Sequence, residues 1–237
     1  MDDSTGTVPM IKENLTRVRR RIEQAAARCG RDPASVRLVA VSKTVSAESV
    51  KEAIDAGVRL LGENYIQEAR EKVDALIGSP ASWHFIGHLQ TNKARFAVEL
   101  FELIHSVDSL KLARELDKQA RRQNKVQPIL IQVNIAEEKS KSGITEQAAA
   151  KLIREVSCCG NLSIRGLMTM PPFFNAPEKV RPYFKALRQL SNRIAAMNID
   201  GVTMRELSMG MTGDFEVAIE EGSTIVRVGT AIFGERQ

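Results

Sequence analysis

From residue 36 onward, short apolar blocks alternate with stretches in which apolar positions recur every three or four residues. A run such as Val36-Arg37-Leu38-Val39-Ala40-Val41 is short and rich in β-branched residues, as a buried strand requires. Leu110, Leu112, Ala113, Leu116 and Ala120 instead mark one face of a helix. The alternation predicts eight strands, at residues 36–43, 59–65, 83–89, 101–107, 128–134, 164–169, 202–207 and 224–229. Helices are predicted between them at 47–56, 66–77, 110–123, 146–158, 178–197 and 214–221, with a shorter turn-rich link after Gln90. One further helix, residues 9–29, precedes the first strand, with Ile11, Leu15, Val18 and Ile22 at helical spacing. Strands separated by helices pair in parallel, because the helix supplies the crossover. Eight such units in roughly 200 residues predict an α/β fold, a (β/α)8 TIM barrel with an extra N-terminal helix. The alternative, a doubly wound open sheet, calls for a glycine-rich turn after the first strand, and Ser42-Lys43-Thr44-Val45 contains no glycine.

Composition narrows the classes. The chain has 237 residues, 43% of them hydrophobic, which is enough for one sizeable core. No compositional break appears between Val36 and Phe233, so one domain is expected over residues 1–237, with 1–35 as a helical extension. The net charge of +5 comes from 34 basic and 29 acidic residues spread along the chain. The densest basic cluster, Arg17, Arg19, Arg20 and Arg21, reads as the solvated face of the first helix. Aromatics are 5% and no stacking motif accompanies the charge, which argues against nucleic-acid binding. The first residues lack the basic-then-apolar order of a secretory signal, and no run is long enough to span a bilayer. Cys29, Cys158 and Cys159 cannot all pair, and none has zinc-ligand spacing, so they read as packing residues in a reducing compartment. A cytoplasmic protein without membrane attachment is expected.

A barrel assembles its site at the C-terminal ends of its strands. Lys43, Asn64, His88, Asp108, Asn134, Thr169, Ser208 and Gly229 fall at or just past those predicted ends. A desolvated lysine sheds its proton more readily and becomes a nucleophile towards aldehydes, although Lys43 also reads as the first solvated residue after a core strand. The segment Ser208-Met209-Gly210-Met211-Thr212-Gly213-Asp214 runs from a strand into a helix with small residues and hydroxyls, as a phosphate loop does; an ordinary βα loop would look the same. Arg227 interrupts a β-branched strand; pointing inward with Ile225 it needs an acceptor, and pointing outward it is a snorkelling surface residue. His84 and His88, four apart on a predicted strand, share one face and with His105 raise the question of a metal. No acidic partner stands at a supporting spacing, so hydrogen-bonded structural histidines and no metal are expected. Tyr65 reads as a strand-end aromatic packed against the next helix.

A lysine on the first strand, a phosphate loop on the last two and an arginine between them describe a site for pyridoxal 5′-phosphate (PLP). The chain resembles the pyridoxal phosphate homeostasis proteins, which share the barrel of the alanine racemase fold. The resemblance is carried by Ala40-Val41-Ser42-Lys43, Gly62-Glu63-Asn64-Tyr65, Trp83-His84-Phe85-Ile86-Gly87-His88-Leu89-Gln90-Thr91-Asn92-Lys93, Gly166-Leu167-Met168-Thr169-Met170, Leu207-Ser208-Met209-Gly210-Met211 and Val226-Arg227-Val228-Gly229-Thr230-Ala231-Ile232-Phe233-Gly234. It implies that Lys43 holds PLP as a lysine aldimine, that Ser208, Gly210, Gly229 and Thr230 surround the phosphate, that Arg227 meets the pyridine nitrogen, and that Asn64 lies beside the cofactor. An arginine stays charged and disfavours protonation of the ring nitrogen, so a carbanion on the cofactor is poorly stabilised. Racemases of this fold add a tyrosine base from a second, β-rich domain of a partner subunit; with Gln237 directly after the eighth strand, that domain is expected to be absent. The expectation is a monomeric or weakly associating carrier that binds PLP reversibly and delivers it to apo PLP-dependent enzymes without a dedicated turnover. An amino-acid racemase of low activity is the alternative. A phosphosugar enzyme or a nucleic-acid binder would leave Lys43 unmodified.

Overall fold

Eight parallel strands close on themselves in sequence order: β1 (Arg37–Val41), β2 (Leu60–Glu63), β3 (Ser82–Phe85), β4 (Leu103–Val107), β5 (Gln127–Gln132), β6 (Leu162–Met168), β7 (Val202–Ser208) and β8 (Ile225–Val228). The last strand pairs with the first, Arg37 against Ile225 and Ala40 against Val228, which completes the barrel. The structure, a computed structural model, describes residues 8–138 and 141–235; the polar stretch at 1–7 and the last two residues of the expected domain lie outside the described residues. Around the barrel run α2 (Ala47–Asp55), α3 (Ile66–Ala75), α4 (Ala94–Leu100), α5 (Leu110–Arg122), α6 (Glu146–Ser157), α7 (Arg181–Ala195), α8 (Phe215–Glu220) and the short α9 (Thr230–Phe233). Hydroxyl caps start two of them: Ser46 accepts from the Ser49 N–H ahead of α2, and Ser109 from the Leu112 N–H ahead of α5.

The N-terminal helix α1 (Val8–Arg28) buries Ile11, Leu15, Val18, Ile22, Ala25 and Ala26 against α2, α8 and α9. The reason lies in the barrel's own geometry: β8 is followed by only four helical residues, so the seam between β8 and β1 lacks a full outer helix, and α1 covers it. Polar contacts lock it there. Asn14 Nδ2 donates to the Ile232 carbonyl (3.1 Å), and Arg21 pairs with Glu216 (2.7 Å) while lying over the Phe215 ring. Arg21 therefore serves the helix packing, whereas Arg17 and Arg20 face solvent as expected.

The core has two compartments. Most apolar side chains pack between the barrel wall and the helices. A much smaller cluster, Val39, Leu103, Leu130, Met168 and Ile225, fills the barrel itself. The interior positions it leaves are polar, among them His105, Ser208 and Arg227.

Four expectations need correction. Strand β3 stops at Phe85 because Gly87 comes against the backbone of Asn64, where a Cβ would stand 2.3 Å from the Asn64 carbonyl oxygen. His88 is thus on a loop, and it does not share a strand face with His84. The link after Gln90 contains a true helix, α4, built on Ala94, Ala97 and Val98. The helix expected over 178–197 begins as a 3-10 turn, Pro177–Val180, since Pro182 belongs in the first turn of an α-helix. Cys29 and Cys158 are exposed at helix C-terminal ends and pack nothing; only Cys159 lies against the core.

Candidate functional site

Alternation along β1 turns Val39 and Val41 into the barrel and brings Lys43, two residues past the strand, to its C-terminal mouth. There a cavity of about 260 Å³ is lined by Lys43, Asn64, Arg227, Gly229 and Thr230, five of the seven residues expected at the site. Lys43 is half-buried. The volume is at the small end for ligand sites, which span about 300–1,000 Å³. Asn64 forms a shared wall, with a neighbouring cavity of about 490 Å³ on its other side lined by Tyr65, His88 and Lys93. Tyr65 is 59% exposed and lines this neighbouring cavity, so it does not read as a buried aromatic packed on the next helix.

Ser208 and Gly210 lie beneath the cavity lining. Gly210 has φ +93°, and a Cβ there would fall 2.6 Å from that of Ala218; its carbonyl accepts the Arg227 N–H (3.0 Å). The Ser208 hydroxyl is fully buried and accepts from Arg227 Nη1 (2.5 Å), while Nη2 donates to the Thr169 carbonyl (2.9 Å). The inward orientation of Arg227 is therefore correct, and its acceptors come from the barrel.

A hydrogen-bonded chain continues further down. His105 Nδ1 lies 2.8 Å from the Ser208 hydroxyl and His105 Nε2 lies 3.0 Å from His84 Nδ1, while the buried His84 Nε2 has no hydrogen-bond partner among the described residues. Burial lowers His84 to about 4, with Glu102 opposing the effect. Burial, then His84 and Arg227, hold His105 well below the usual histidine range. Burial also lowers Arg227 to about 10, and it stays a cation at neutral pH. His84 and His105 are thus buried and hydrogen-bonded to each other, and no group of three metal-ligating side chains occurs among the described residues.

Opposite Lys43, the loops after β6 and β7 complete the lining. Met170, Phe173 and Phe174 supply an apolar side, with Phe173 82% exposed and Phe174 stacked on Tyr183 at 6.0 Å between ring centroids. Thr212 and Thr230 bring two hydroxyls within 3.2 Å of each other. Asp214 accepts the Met211 N–H (2.6 Å), and burial pushes its carboxyl above the usual carboxylate range. Thr212 and Asp214 belong to the segment read from the sequence as a phosphate loop, whereas Phe173 and Phe174 escaped that reading. The consecutive phenylalanines at 173 and 174, outside any strand or helix, are the one signal that could have marked the apolar wall.

A half-buried lysine, a buried cation and paired hydroxyls around one small cavity suit a compact anionic molecule with an electrophilic carbon. Known proteins agree with this chemistry. Residues 14–237 match the family described as alanine racemase, N-terminal domain. The pyridoxal phosphate homeostasis protein of Aquifex aeolicus is 44% identical over 225 residues, covering 95% of this chain and 98% of that one. The protein of the same name from Escherichia coli K12 is 44% identical over 231 residues, covering 95% and 97%. Among solved structures, PipY of Synechococcus elongatus PCC7942 with PLP bound superimposes with a TM-score of 0.84 at 35% identity, covering 94% of this chain and all of that one.

Proposed function

The chain belongs to the family of pyridoxal phosphate homeostasis proteins, built on the alanine racemase N-terminal domain, and from that membership we propose that it binds PLP beside Lys43 and serves intracellular PLP homeostasis. The observation that carries the reading is that Lys43 and Arg227, 184 positions apart in the chain (227 − 43), line one cavity with Gly229 and Thr230. PLP supplies an aldehyde carbon that a deprotonated amine attacks with loss of one water.

Each residue then has a task. Lys43 is the amine. Thr230 and the backbone at Gly229 hold the phosphate, with Gly210 and Ser208 beneath them keeping the loop and Arg227 in place. Arg227 faces the pyridine nitrogen and disfavours its protonation, which withholds the electron sink that α-carbon chemistry needs. Asn64 forms the cavity wall beside the ring. A carrier follows from this arrangement better than a racemase, since Tyr65 borders the neighbouring cavity. Every proposed contact comes from one chain, so a monomer suffices. Delivery to apo PLP-dependent enzymes in the cytoplasm completes the proposal; no described helix is long and apolar enough to cross a membrane.

Borohydride reduction of PLP-loaded protein followed by peptide mass analysis tests it. The added mass is expected on the peptide containing Lys43 and is expected to disappear in Lys43→Ala. Label on a different lysine would remove the central claim.

A further inference from the structure

Behind the barrel wall, on the face opposite the cavity, a buried ion network joins β1, β2 and α3. Ser42 and Glu63 alternate with the cavity-lining Val41, Lys43 and Asn64, so their side chains point to the helix layer. The Ser42 hydroxyl donates to Glu63 Oε1 (2.7 Å). Lys72 of α3, only 5% exposed, donates from Nζ to the same Glu63 oxygen (2.8 Å), to Glu68 Oε1 (2.6 Å) and to the Ser42 carbonyl (2.5 Å). Glu68 Oε1 also accepts the backbone N–H of Thr44. Both chain neighbours of Lys43 are thereby tied to one ammonium: Ser42 directly and through Glu63, and Thr44 through Glu68.

The arrangement is more than ordinary loop anchoring because of the conformation it holds. Thr44 has φ +62°, the left-handed region, a strained conformation that a β-branched residue keeps only where its surroundings enforce it. The Ser42–Val45 turn, closed by the Val45 N–H on the Ser42 carbonyl (3.0 Å), is the segment that carries Lys43 away from the strand. Relaxation of Thr44 to an extended conformation would redirect the backbone immediately after Lys43. The three charges concerned lie outside the cavity lining, and PLP has no need of them as ligands.

We propose that Lys72, Glu63 and Glu68 are positioning residues that present Lys43 to the cavity, Glu68 doing so by holding Thr44 in its left-handed conformation. The inference rests on Lys43 being the lysine that captures PLP. Glu68 is the informative site for a test, because its side chain is 23% exposed and its loss leaves the Glu63–Lys72 pair intact.

Two measurements on the full chain test the clamp. In Glu68→Ala, amide hydrogen exchange at Thr44 in the PLP-free protein should become faster, and PLP capture at Lys43, followed by borohydride quench and mass analysis, should slow by about tenfold or more. Glu68→Gln keeps the acceptor oxygen and should stay near the wild-type rate. Adding Thr44→Gly to Glu68→Ala should restore capture to within about threefold of wild type, because glycine takes positive φ without being held there. Wild-type capture in Glu68→Ala, or no gain from Thr44→Gly, would overturn the proposal. Absence of any label on Lys43 in the wild-type protein would instead sink the PLP-capture reading, and unchanged Thr44 exchange in Glu68→Ala would still refute the clamp.

Discussion

Arg227 of β8 donates to the Ser208 hydroxyl of the neighbouring strand β7, which is how an arginine only 3% exposed to solvent is accommodated. The same hydroxyl lies 2.8 Å from His105 Nδ1, so it meets both a cation and an imidazole.

Ser208→Ala should therefore affect more than one bond. The buried guanidinium loses an acceptor and His105 Nδ1 loses its hydrogen-bond partner, a loss of about 1–3 kcal/mol in folding stability by urea denaturation. PLP affinity should fall with it, because Arg227 is no longer held at the floor of the cavity. A variant as stable as wild type would show that the link carries little weight.

Thr230→Ala removes one of the two hydroxyls at the cavity mouth and should weaken PLP binding by about 1–3 kcal/mol in a spectroscopic titration. Pyridoxal, which lacks the phosphate, should bind far more weakly than PLP to the wild-type protein and should respond little to the substitution. Equal affinity for the two ligands would count against an anion site at Gly229 and Thr230.

Acid should destabilise the fold through the barrel histidines. His84 titrates near 4 when folded and burial holds His105 well below the usual histidine range, and both start from an ordinary value of 6.5. Between those limits the unfolded chain binds more protons, so this contribution is complete above the unfolded value and is lost as pH falls through that window. For His84 alone the lowered value corresponds to about 3 kcal/mol. Urea midpoints should decline from about pH 7 to pH 5, and less steeply in His105→Gln. Identical slopes in the two proteins would refute the assignment of neutral histidines.

Arg227 also sets what the loaded protein leaves undone. With the ring nitrogen unprotonated, L- or D-alanine incubated with the holo-protein in deuterated water should show negligible α-deuterium exchange. General acid–base assistance is typically worth 10²–10⁴-fold, and no tyrosine lines the cavity among the described residues to supply a second base as in the racemases. Rapid exchange that vanishes in Lys43→Ala would favour the racemase reading.

Much of this architecture is legible in the sequence because parallel strands buried on both sides give continuous apolar runs, and each run ends near a polar residue at the mouth. Lys43, Asn64, Gly229 and Thr230 could be placed that way. The sequence pairs Arg227 with Ile225 by period 2 but leaves open which way they point; both prove to be inside. The partners of these residues are not legible. Ser208 with His105, and Ser42 with Lys72, are 103 and 30 positions apart, and nothing local in either segment marks the contact. Strand β3 was overextended for a related reason: its end is set by the closeness of Gly87 to Asn64, a contact between strands that hydropathy does not register.

The seam covered by α1 has a consequence for how the molecule is made. Pairing β1 with β8 joins segments at opposite ends of the chain, and the cavity draws its lysine from just after one and its arginine from the other. During synthesis, Lys43 and α1 leave the ribosome long before their partners exist, so the nascent chain must wait for its last strand before the ring can shut. Closure of the barrel and creation of the pocket are one event. A polypeptide truncated or stalled before β8 would lack Arg227, Gly229 and Thr230, and would have no such pocket to offer a ligand.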